Sequence, residues 1–336
     1  MLATCEKGAA TSGSLTDVAG LTVGHWTDAQ AATGCTVVLC GDEGAVAGVD
    51  VRGSAPGTRE TDFLSPVNAV DRVHAVLLAG GSAFGLDAAS GVMRWLEARG
   101  RGVKVGPCRV PLVCAAVLFD LLVGRADVRP DAAAGEAACD AASPAAVPQG
   151  SVGAGTGATV GKALGFERAT KSGLGSASLR IAGGVTVAAL VAVNAVGDVI
   201  DPGTGAQIAG PRLPGGGFMR TTQWLREHPP QVSVGASTTL AVVATDAVLT
   251  KTEATKVAQM AHDGLARTID PVHTMLDGDT VFALATGAAG VHADLTTVGA
   301  VAATALSGAV IAAVNAATGL AGIPSVRELA GGEGPL

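Results

Sequence analysis

The sequence contains few aromatic side chains and no tyrosine. Aromatic residues make up 3% of the 336 residues and charged residues 15%, whereas 48% are hydrophobic. This composition excludes the disordered class, whose members are polar and highly charged. Because aromatic rings are scarce, Val, Ala and Leu must fill the core. The 48 glycines indicate many tight turns and closely packed layers.

Basic clusters and known cofactor motifs are also missing. The net charge of −7 is spread along the chain without a Lys/Arg-rich run, which argues against nucleic acid as a partner. The six histidines show no metal-ligand spacing, so no metal site is predicted. The turn Gly80–Gly85 fits neither the GxGxxG loop nor the nucleophile elbow, and we predict no cofactor. It is typical of a structural turn between a strand and a helix, with N–H groups suited to a carboxylate or carbonyl oxygen.

No CxxC pair joins the six cysteines, and apolar runs such as Cys35–Cys40 predict buried, reduced thiols. The segment Met1–Gly20 lacks the apolar stretch of a secretory signal, so a cytoplasmic protein is expected. Gly299–Leu320 is the most membrane-like stretch, but it is weakly hydrophobic compared with the roughly 20 strongly apolar residues of a spanning helix. We expect a buried helix between layers there, and no membrane partner.

Hydrophobic patterning predicts a mixed α and β domain. Short β-branched runs near turn-forming residues are typical of strands, and five are found: Gly34–Leu39, Ala75–Leu78, Val185–Val193, Thr239–Thr245 and Thr280–Thr286. Helices are predicted at Gly85–Arg99, Leu112–Val123, Thr252–Thr268 and Thr297–Ala317. Their irregular order favours stacked sheets covered by helices. The Pro- and Gly-rich stretch Asp201–Val232 predicts a long exposed loop.

A Ser-Thr-Thr triplet, Ser237–Thr239, directly precedes an apolar strand. This arrangement is typical of proteins that cut their own backbone before a hydroxyl residue. The cut exposes a free α-amine beside the hydroxyl, and an unperturbed amine pKa of about 7.7–8.0 makes it a usable base near neutral pH. From this segment alone, a threonine-rich strand start without catalytic function is the favoured interpretation, so Thr238 needs support from elsewhere.

Four further polar residues lie at the ends of predicted strands or after a Gly-rich run. Asp277 and Asp279 flank a glycine before the predicted strand at Thr280; one carboxylate can hold an ammonium while the other orients a hydroxyl, although a plain turn has the same composition. Asn194 ends another apolar strand, where its amide suits an oxyanion. Lys162 follows the Gly-rich run Gly153–Gly161 and offers a positive charge or a proton relay.

Several long motifs occur in one order over nearly the whole chain: Leu15–His25, Val49–Thr61, Leu78–Leu86, Ala261–Thr268 and Leu276–Phe282. In these motifs the chain resembles the L-aminopeptidase/D-amino-acid esterase (DmpA-like) family, which also contains β-peptidyl aminopeptidases and nylon-oligomer endo-hydrolases.

The resemblance implies an α+β fold, a four-layer αββα sandwich of the type that this family shares with ornithine acetyltransferases. It also implies one domain, 1–336, that cleaves itself between Ser237 and Thr238 into fragments 1–237 and 238–336. Thr238 then matches the nucleophile, and Asn194 the oxyanion donor. Lys162 matches the lysine beside it, and Asp277 and Asp279 match the pair that positions the nucleophile and its amine. Small amides or peptides are the expected substrates, and a dimer of dimers is the expected assembly.

Two departures from the family pattern concern the site. Ser237 stands where relatives have Asn or Gly, residues that tolerate a left-handed backbone better, so the cut is expected to be slower or shifted to a neighbouring hydroxyl. Phe119 stands where some members have Tyr.

Two alternatives to the hydrolase stay open: an acyltransferase of the ornithine acetyltransferase type, and an unprocessed protein without catalytic activity.

Overall fold

The computed structural model of the protein describes residues 13–229 and 235–330. The strands in chain order are β1 Thr22–Asp28, β2 Thr33–Leu39, β3 Ala45–Val51, β4 Thr58–Arg59, β5 Arg72–Val73, β6 Ala75–Ala79, β7 Val103–Val105, β8 Cys108–Val110, β9 Val113–Val117, β10 Thr159–Val160, β11 Thr170–Lys171, β12 Leu174–Arg180, β13 Thr186–Asn194, β14 Asp198–Ile200, β15 Gln207–Ala209, β16 Thr238–Thr245, β17 Ile269–Asp270 and β18 Thr280–Ala285. The α-helices are α1 Ala88–Glu97, α2 Ala132–Asp140, α3 Thr221–Leu225, α4 Lys251–Thr268, α5 Leu295–Ala316 and α6 Val326–Ala330.

Two large sheets form the centre of the molecule. The first has the strand order β1-β2-β6-β9-β4, and the second has the order β12-β13-β16-β18-β3-β5. Side chains such as Leu78, Leu190, Leu240 and Phe282 fill the space between the sheets. Helices α1 and α2 cover the outer face of the first sheet, and α4 and α5 cover the outer face of the second. The α+β fold with four αββα layers is thereby confirmed.

Strand β16 is central to the second sheet. It pairs antiparallel with β13 and parallel with β18, and all eight of its residues are buried. Residues with β-branched side chains, such as Val242 and Val243, suit a strand that is covered on both faces. The start of β16 is therefore held by two neighbouring strands and cannot move freely.

Close approach of helix α5 to the second sheet depends on small residues. An added Cβ on Gly175 of β12 would lie 2.0 Å from the carbonyl oxygen of Ala309 in α5. The most apolar 18 residues of helix α5 have a mean hydropathy of 1.9, enough for a membrane span by length and composition, but 61% of this stretch is buried within the protein. It packs on β12 and β13, as core helices do. The helix was expected between layers; it forms an outer layer instead.

The predicted helix at Leu112–Val123 is wrong. Val113–Val117 forms strand β9, which pairs parallel with β6 and antiparallel with β4. A short, wholly apolar run has no periodicity that distinguishes a buried strand from a buried helix. The remaining predicted strands and helices are confirmed, with shifted ends: α4 begins at Lys251, because Thr250 and Glu253 form its capping box.

Two smaller predictions were correct only in part. The loop expected at Asp201–Val232 contains β15 and α3, and its last residues lie outside the described part. Asp198 anchors this segment, because its carboxylate accepts hydrogen bonds from the amide (2.9 Å) and hydroxyl (2.6 Å) of Thr221. Among the described cysteines, four are buried free thiols as predicted, but Cys108 in the β7–β8 hairpin is exposed. Cys5 lies outside the described residues.

Candidate active site

Thr238 is the first residue of β16, and it lies directly opposite Asn194, the last residue of β13. Its side-chain hydroxyl donates a hydrogen bond to the carbonyl oxygen of Ser237, at 2.5 Å. The same carbonyl oxygen accepts the backbone N–H of Gly278 at 3.0 Å. The hydroxyl is thus held against the peptide bond that the sequence predicts to be cut, and that bond already has one donor on its oxygen.

The ammonium group of Lys162 is fully buried beside the same peptide. Its Nζ lies 2.8 Å from both the backbone oxygen and Oδ1 of Asn194. It also lies 3.3 Å from the carbonyl oxygen of Ala236 and 3.3 Å from Oγ of Ser237. Lys162 therefore bridges the end of β13 and the chain that enters β16.

Asn194 is held in a defined orientation by its other contacts. Its Oδ1 accepts the backbone N–H of Thr159 at 3.0 Å, and its Nδ2 donates to the carbonyl oxygen of Phe119 at 2.9 Å. In this orientation the acceptor end of the amide faces Lys162, and the donor end is occupied by the Phe119 carbonyl. An oxyanion would have to replace that carbonyl as the partner of Nδ2.

Asp277 and Asp279 lie on either side of Gly278 at the entrance to β18, and both are about 1% exposed. Oδ1 of Asp279 accepts the backbone N–H of Thr239 at 2.7 Å. Oδ1 of Asp277 accepts the N–H of Val196 at 3.2 Å. The glycine between the two acids is required sterically, because an added Cβ would lie 2.8 Å from the Thr238 hydroxyl. Asp279 therefore fastens the start of β16 to the entrance of β18, and Asp277 fastens that entrance to the chain that follows β13.

Burial changes the ionisation of the charged groups in this site. It lowers the pKa of Lys162 to about 7, against the opposing effect of the nearby carboxylates, first among them Asp277. Burial also raises the pKa of Asp277 to about 6, and the neighbouring charge of Asp279 adds to this increase. A lysine that loses its proton near neutral pH can act as a base, which an exposed lysine cannot do.

The structure brings all five predicted residues, Lys162, Asn194, Thr238, Asp277 and Asp279, together with the predicted junction at Ser237 and Thr238. Sequence analysis missed two residues that contact them. His273 donates its Nδ1–H to Oδ2 of Asp279 at 2.8 Å, and the hydroxyl of Thr274 donates to Oδ2 of Asp277 at 2.5 Å. The six histidines show neither metal-ligand spacing nor a pattern that selects one of them for a catalytic triad. His273 nevertheless lies only six residues before Asp279 in the sequence, and this short separation was a usable signal.

The turn Gly80–Gly85 lies next to this site and binds a carboxylate of the chain itself. The backbone N–H of Gly81 donates to Oδ1 of Asp120, and the hydroxyl of Thr33 donates to Oδ2, each at 2.7 Å. Burial raises the pKa of Asp120 to about 6. Because Phe119 precedes this anchored residue, its carbonyl is fixed where it contacts Asn194.

Ser237 and Phe119, the two residues that depart from the expected family pattern, differ in what surrounds them. Ser237 is not among the described non-glycine residues with positive φ, so the left-handed strain expected at this position is absent and serine fits there. The ring of Phe119 packs against that of Phe166 with their centroids 6.2 Å apart, and the Phe166 ring centroid lies 5.5 Å from Nζ of Lys162. Two phenylalanine rings therefore form an apolar wall on this side of the site.

The chain matches the model of peptidase family S58 over residues 13–327. It belongs to peptidase family S58. It is 47% identical to an uncharacterized aminopeptidase of Mycobacterium tuberculosis, over 94% of this chain and 97% of that relative. It is 32% identical to the 6-aminohexanoate-oligomer endohydrolase of Kocuria sp., over 80% of this chain and 74% of that enzyme.

Among solved structures, the S58 chain is similar to a β-aminopeptidase of Burkholderia sp. The TM-score is 0.70 at 25% identity, and the match covers 96% of this chain and 95% of the other. The family and the names of these relatives identify the chain as a peptide or amide hydrolase. They favour hydrolysis over acyl transfer to an ornithine-like acceptor.

Proposed function

We propose that this S58 chain cuts itself between Ser237 and Thr238 and then hydrolyses amides with Thr238 as its N-terminal nucleophile. One observation carries the proposal: the Thr238 hydroxyl contacts the Ser237 carbonyl, whose oxygen accepts the Gly278 N–H. A nucleophile, an acyl group and an oxyanion donor are therefore adjacent in the uncut chain.

The proposed cut has two steps. In the first, Oγ of Thr238 attacks the carbonyl carbon of Ser237 and gives up its proton. The C–N bond then breaks, and the departing nitrogen of Thr238 takes up a proton, which leaves an ester between Ser237 and the threonine oxygen. In the second step, water hydrolyses this ester to a Ser237 carboxylate and a free threonine hydroxyl beside its new α-amine.

Lys162 is the proposed proton carrier for the cut. Its amine lies within 3.3 Å of the Ser237 side chain and of the preceding carbonyl, and its lowered pKa leaves part of the population neutral near pH 7. Lys162 also lies close to Ser237 Oγ, so the serine hydroxyl is the competing nucleophile to exclude. Thr239 is a second neighbouring hydroxyl, and its buried Oγ1 has no partner among the described residues.

In the cut enzyme, the α-amine of Thr238 takes the role of base for its own hydroxyl. The tetrahedral oxyanion of the substrate is stabilised by Gly278 N–H, together with Asn194 Nδ2 once the Phe119 carbonyl is displaced. Asp277 and Asp279 hold the ammonium form of the amine and the start of β16. Release of the product amine and hydrolysis of the acyl-enzyme complete the turnover.

The proposed substrates are small amides and peptides with a free amino group, including β-peptides and 6-aminohexanoate oligomers, the class named for a relative. The proposed location is the cytoplasm, and the proposed assembly is a dimer of dimers. Nucleic acid and membranes are not proposed as partners. A panel of α-, β- and D-aminoacyl amides and 6-aminohexanoate oligomers, assayed with the cut protein, would select among these substrates.

Replacing Thr238 by valine tests the proposal. Thr238→Val keeps the shape of the side chain and removes the hydroxyl, so we expect a single uncut chain on a denaturing gel and no amide hydrolysis. Thr239→Val is the matched control: it removes a buried hydroxyl without a described partner and should leave both cutting and hydrolysis intact. Two fragments from Thr238→Val, or an uncut Thr239→Val, would contradict Thr238 as the nucleophile.

A further inference from the structure

His273 makes an unusual double contact with one carboxylate oxygen. Its ring Nδ1 lies 2.8 Å from Oδ2 of Asp279, and its own backbone nitrogen lies 3.1 Å from the same atom. The other oxygen of Asp279 accepts the N–H of Thr239 at 2.7 Å. All three groups are donors, and hydrogen bonds from several donors fix the orientation of a carboxylate.

The double contact depends on an uncommon backbone conformation of His273. Its φ is +55°, a left-handed conformation that is uncommon for residues other than glycine. Such strain persists only where the surrounding structure compensates for it. Here it directs both the backbone N–H and the ring Nδ1–H of one residue at a single oxygen.

The other side of the His273 ring is also enclosed. The ring of His262 in α4 lies edge-on to it, with the ring centroids 4.8 Å apart. Burial lowers the pKa of His262 to about 4, so this second ring is neutral at neutral pH and does not compete for the carboxylate. Nε2 of His262 contacts the backbone oxygen of Asp50 at 3.0 Å. His273 is therefore packed in place, with only 17% of its side chain exposed.

We propose that His273 is a positioning residue for the nucleophile, acting through Asp279. His273 fixes Oδ2 of Asp279 and thereby directs Oδ1 at the amide of Thr239. Through this contact it holds the start of β16, including Thr238, against the Ser237 carbonyl. This inference rests on the proposed function for its catalytic consequence. The geometric part of the inference is that Asp279 holds the Thr239 amide only when His273 is present. This part can be tested independently of any activity.

Two substitutions at position 273 separate the side-chain donor from the backbone strain. His273→Gly and His273→Asn both tolerate the left-handed backbone, but only asparagine keeps an N–H donor one bond beyond Cγ. We expect His273→Gly to lower the rate of self-cleavage and kcat about 10- to 100-fold, the effect of losing one hydrogen bond to a charged group. KM should change little, because no substrate contact is lost, and His273→Asn should recover most of the rate.

A second measurement reports on Asp279 itself. In the uncut Thr238→Val chain, we expect hydrogen exchange at the Thr239 amide to be slow with histidine or asparagine at position 273 and faster with glycine. His292→Asn is the control, because His292 is an exposed histidine that does not contact the site, and it should change neither exchange nor cleavage. Unfolding midpoints measured for all variants show whether loss of activity follows loss of stability.

The outcomes discriminate between the two proposals. Equal losses in the glycine and asparagine variants, or unchanged exchange at Thr239 in the glycine variant, would overturn the positioning role of His273. If the unmodified chain stays uncut and hydrolyses no amide, the proposed function fails, and the exchange comparison still decides whether His273 orients Asp279.

Discussion

Lys162 shows how burial gives a common side chain an uncommon property. The ammonium group is surrounded mainly by backbone carbonyls, an amide oxygen and a serine hydroxyl, and the carboxylates act on it from a distance. Desolvation therefore outweighs the carboxylate charges and lowers its pKa. The charge of this residue changes near neutral pH, so the proposed self-cleavage must depend on pH in that range.

We expect the rate of self-cleavage to rise between about pH 6 and pH 8 and then to level off. A lowered pKa of about 7 means that Lys162 is mostly charged at pH 6 and mostly neutral at pH 8, and only the neutral amine accepts a proton. Protonation of Asp277, whose pKa is raised to about 6, lowers the rate further at acid pH. The measurement is the appearance of fragments after refolding from denaturant at each pH.

Lys162→Met is the control for this pH profile, because it keeps the length of the side chain without the amine. It should stay uncut at every pH. A rate in the unmodified chain that keeps rising by about tenfold per pH unit through pH 9 would show an ordinary lysine pKa and contradict the role of burial.

At the level of secondary-structure elements, the position of α5 on the second sheet depends on glycine. Gly175→Ala places a Cβ 2.0 Å from the carbonyl oxygen of Ala309 and 2.4 Å from the nitrogen of Ala313. The backbone of α5 cannot yield locally, so the helix must shift away from β12. We expect a loss of stability of about 1–3 kcal/mol or more, measured as a lower urea midpoint in the uncut Thr238→Val chain.

Gly215→Ala is the matched substitution in the same background. An added Cβ at Gly215 meets no atom within 4 Å, and this glycine does not have a positive φ. Its free energy of unfolding, obtained from urea denaturation, should stay within about 0.5 kcal/mol of that of the parent chain. Equal effects of the two substitutions would show that close helix–sheet approach is not the cause.

For the whole molecule, the proposed cut falls in the middle of a sheet. The segment 238–336 supplies β16, β18, α4 and α5, whereas 1–237 supplies β13 and β3 on either side of those strands. Hydrogen bonds and buried side chains therefore join the two fragments along both edges of the β16–β18 pair. Cutting one peptide bond removes none of these interactions.

We accordingly expect fragments 1–237 and 238–336 to elute together under native conditions and to separate only in denaturant. Their summed mass should exceed that of the 32.7 kDa chain by one water, and light scattering of the native species tests the proposed dimer of dimers. Fragments that separate without denaturant would show that the sheet does not hold them, and the described strand order would be wrong.

Short residue patterns in the sequence were enough to predict many of the strands and helices. Long apolar strands such as β13 and β16 were recognisable because β-branched runs have few alternative structures, and α4 because its apolar spacing is helical. Five long motifs in one order, among them the one around Asp277, indicated the family. The strand β9 was not recognisable, because five consecutive small apolar residues carry no period.

Only the tertiary structure decided which groups meet. His273 and Asp120 contact the site through left-handed backbone and a glycine turn, features that depend on packing between distant elements. The lowered pKa of Lys162 likewise cannot be predicted from its neighbours in the sequence, because burial is a property of the folded molecule. The sequence determined the type of most elements and the chemical groups available. The stacking of two sheets determined the distances between these groups, their ionisation and therefore their chemistry.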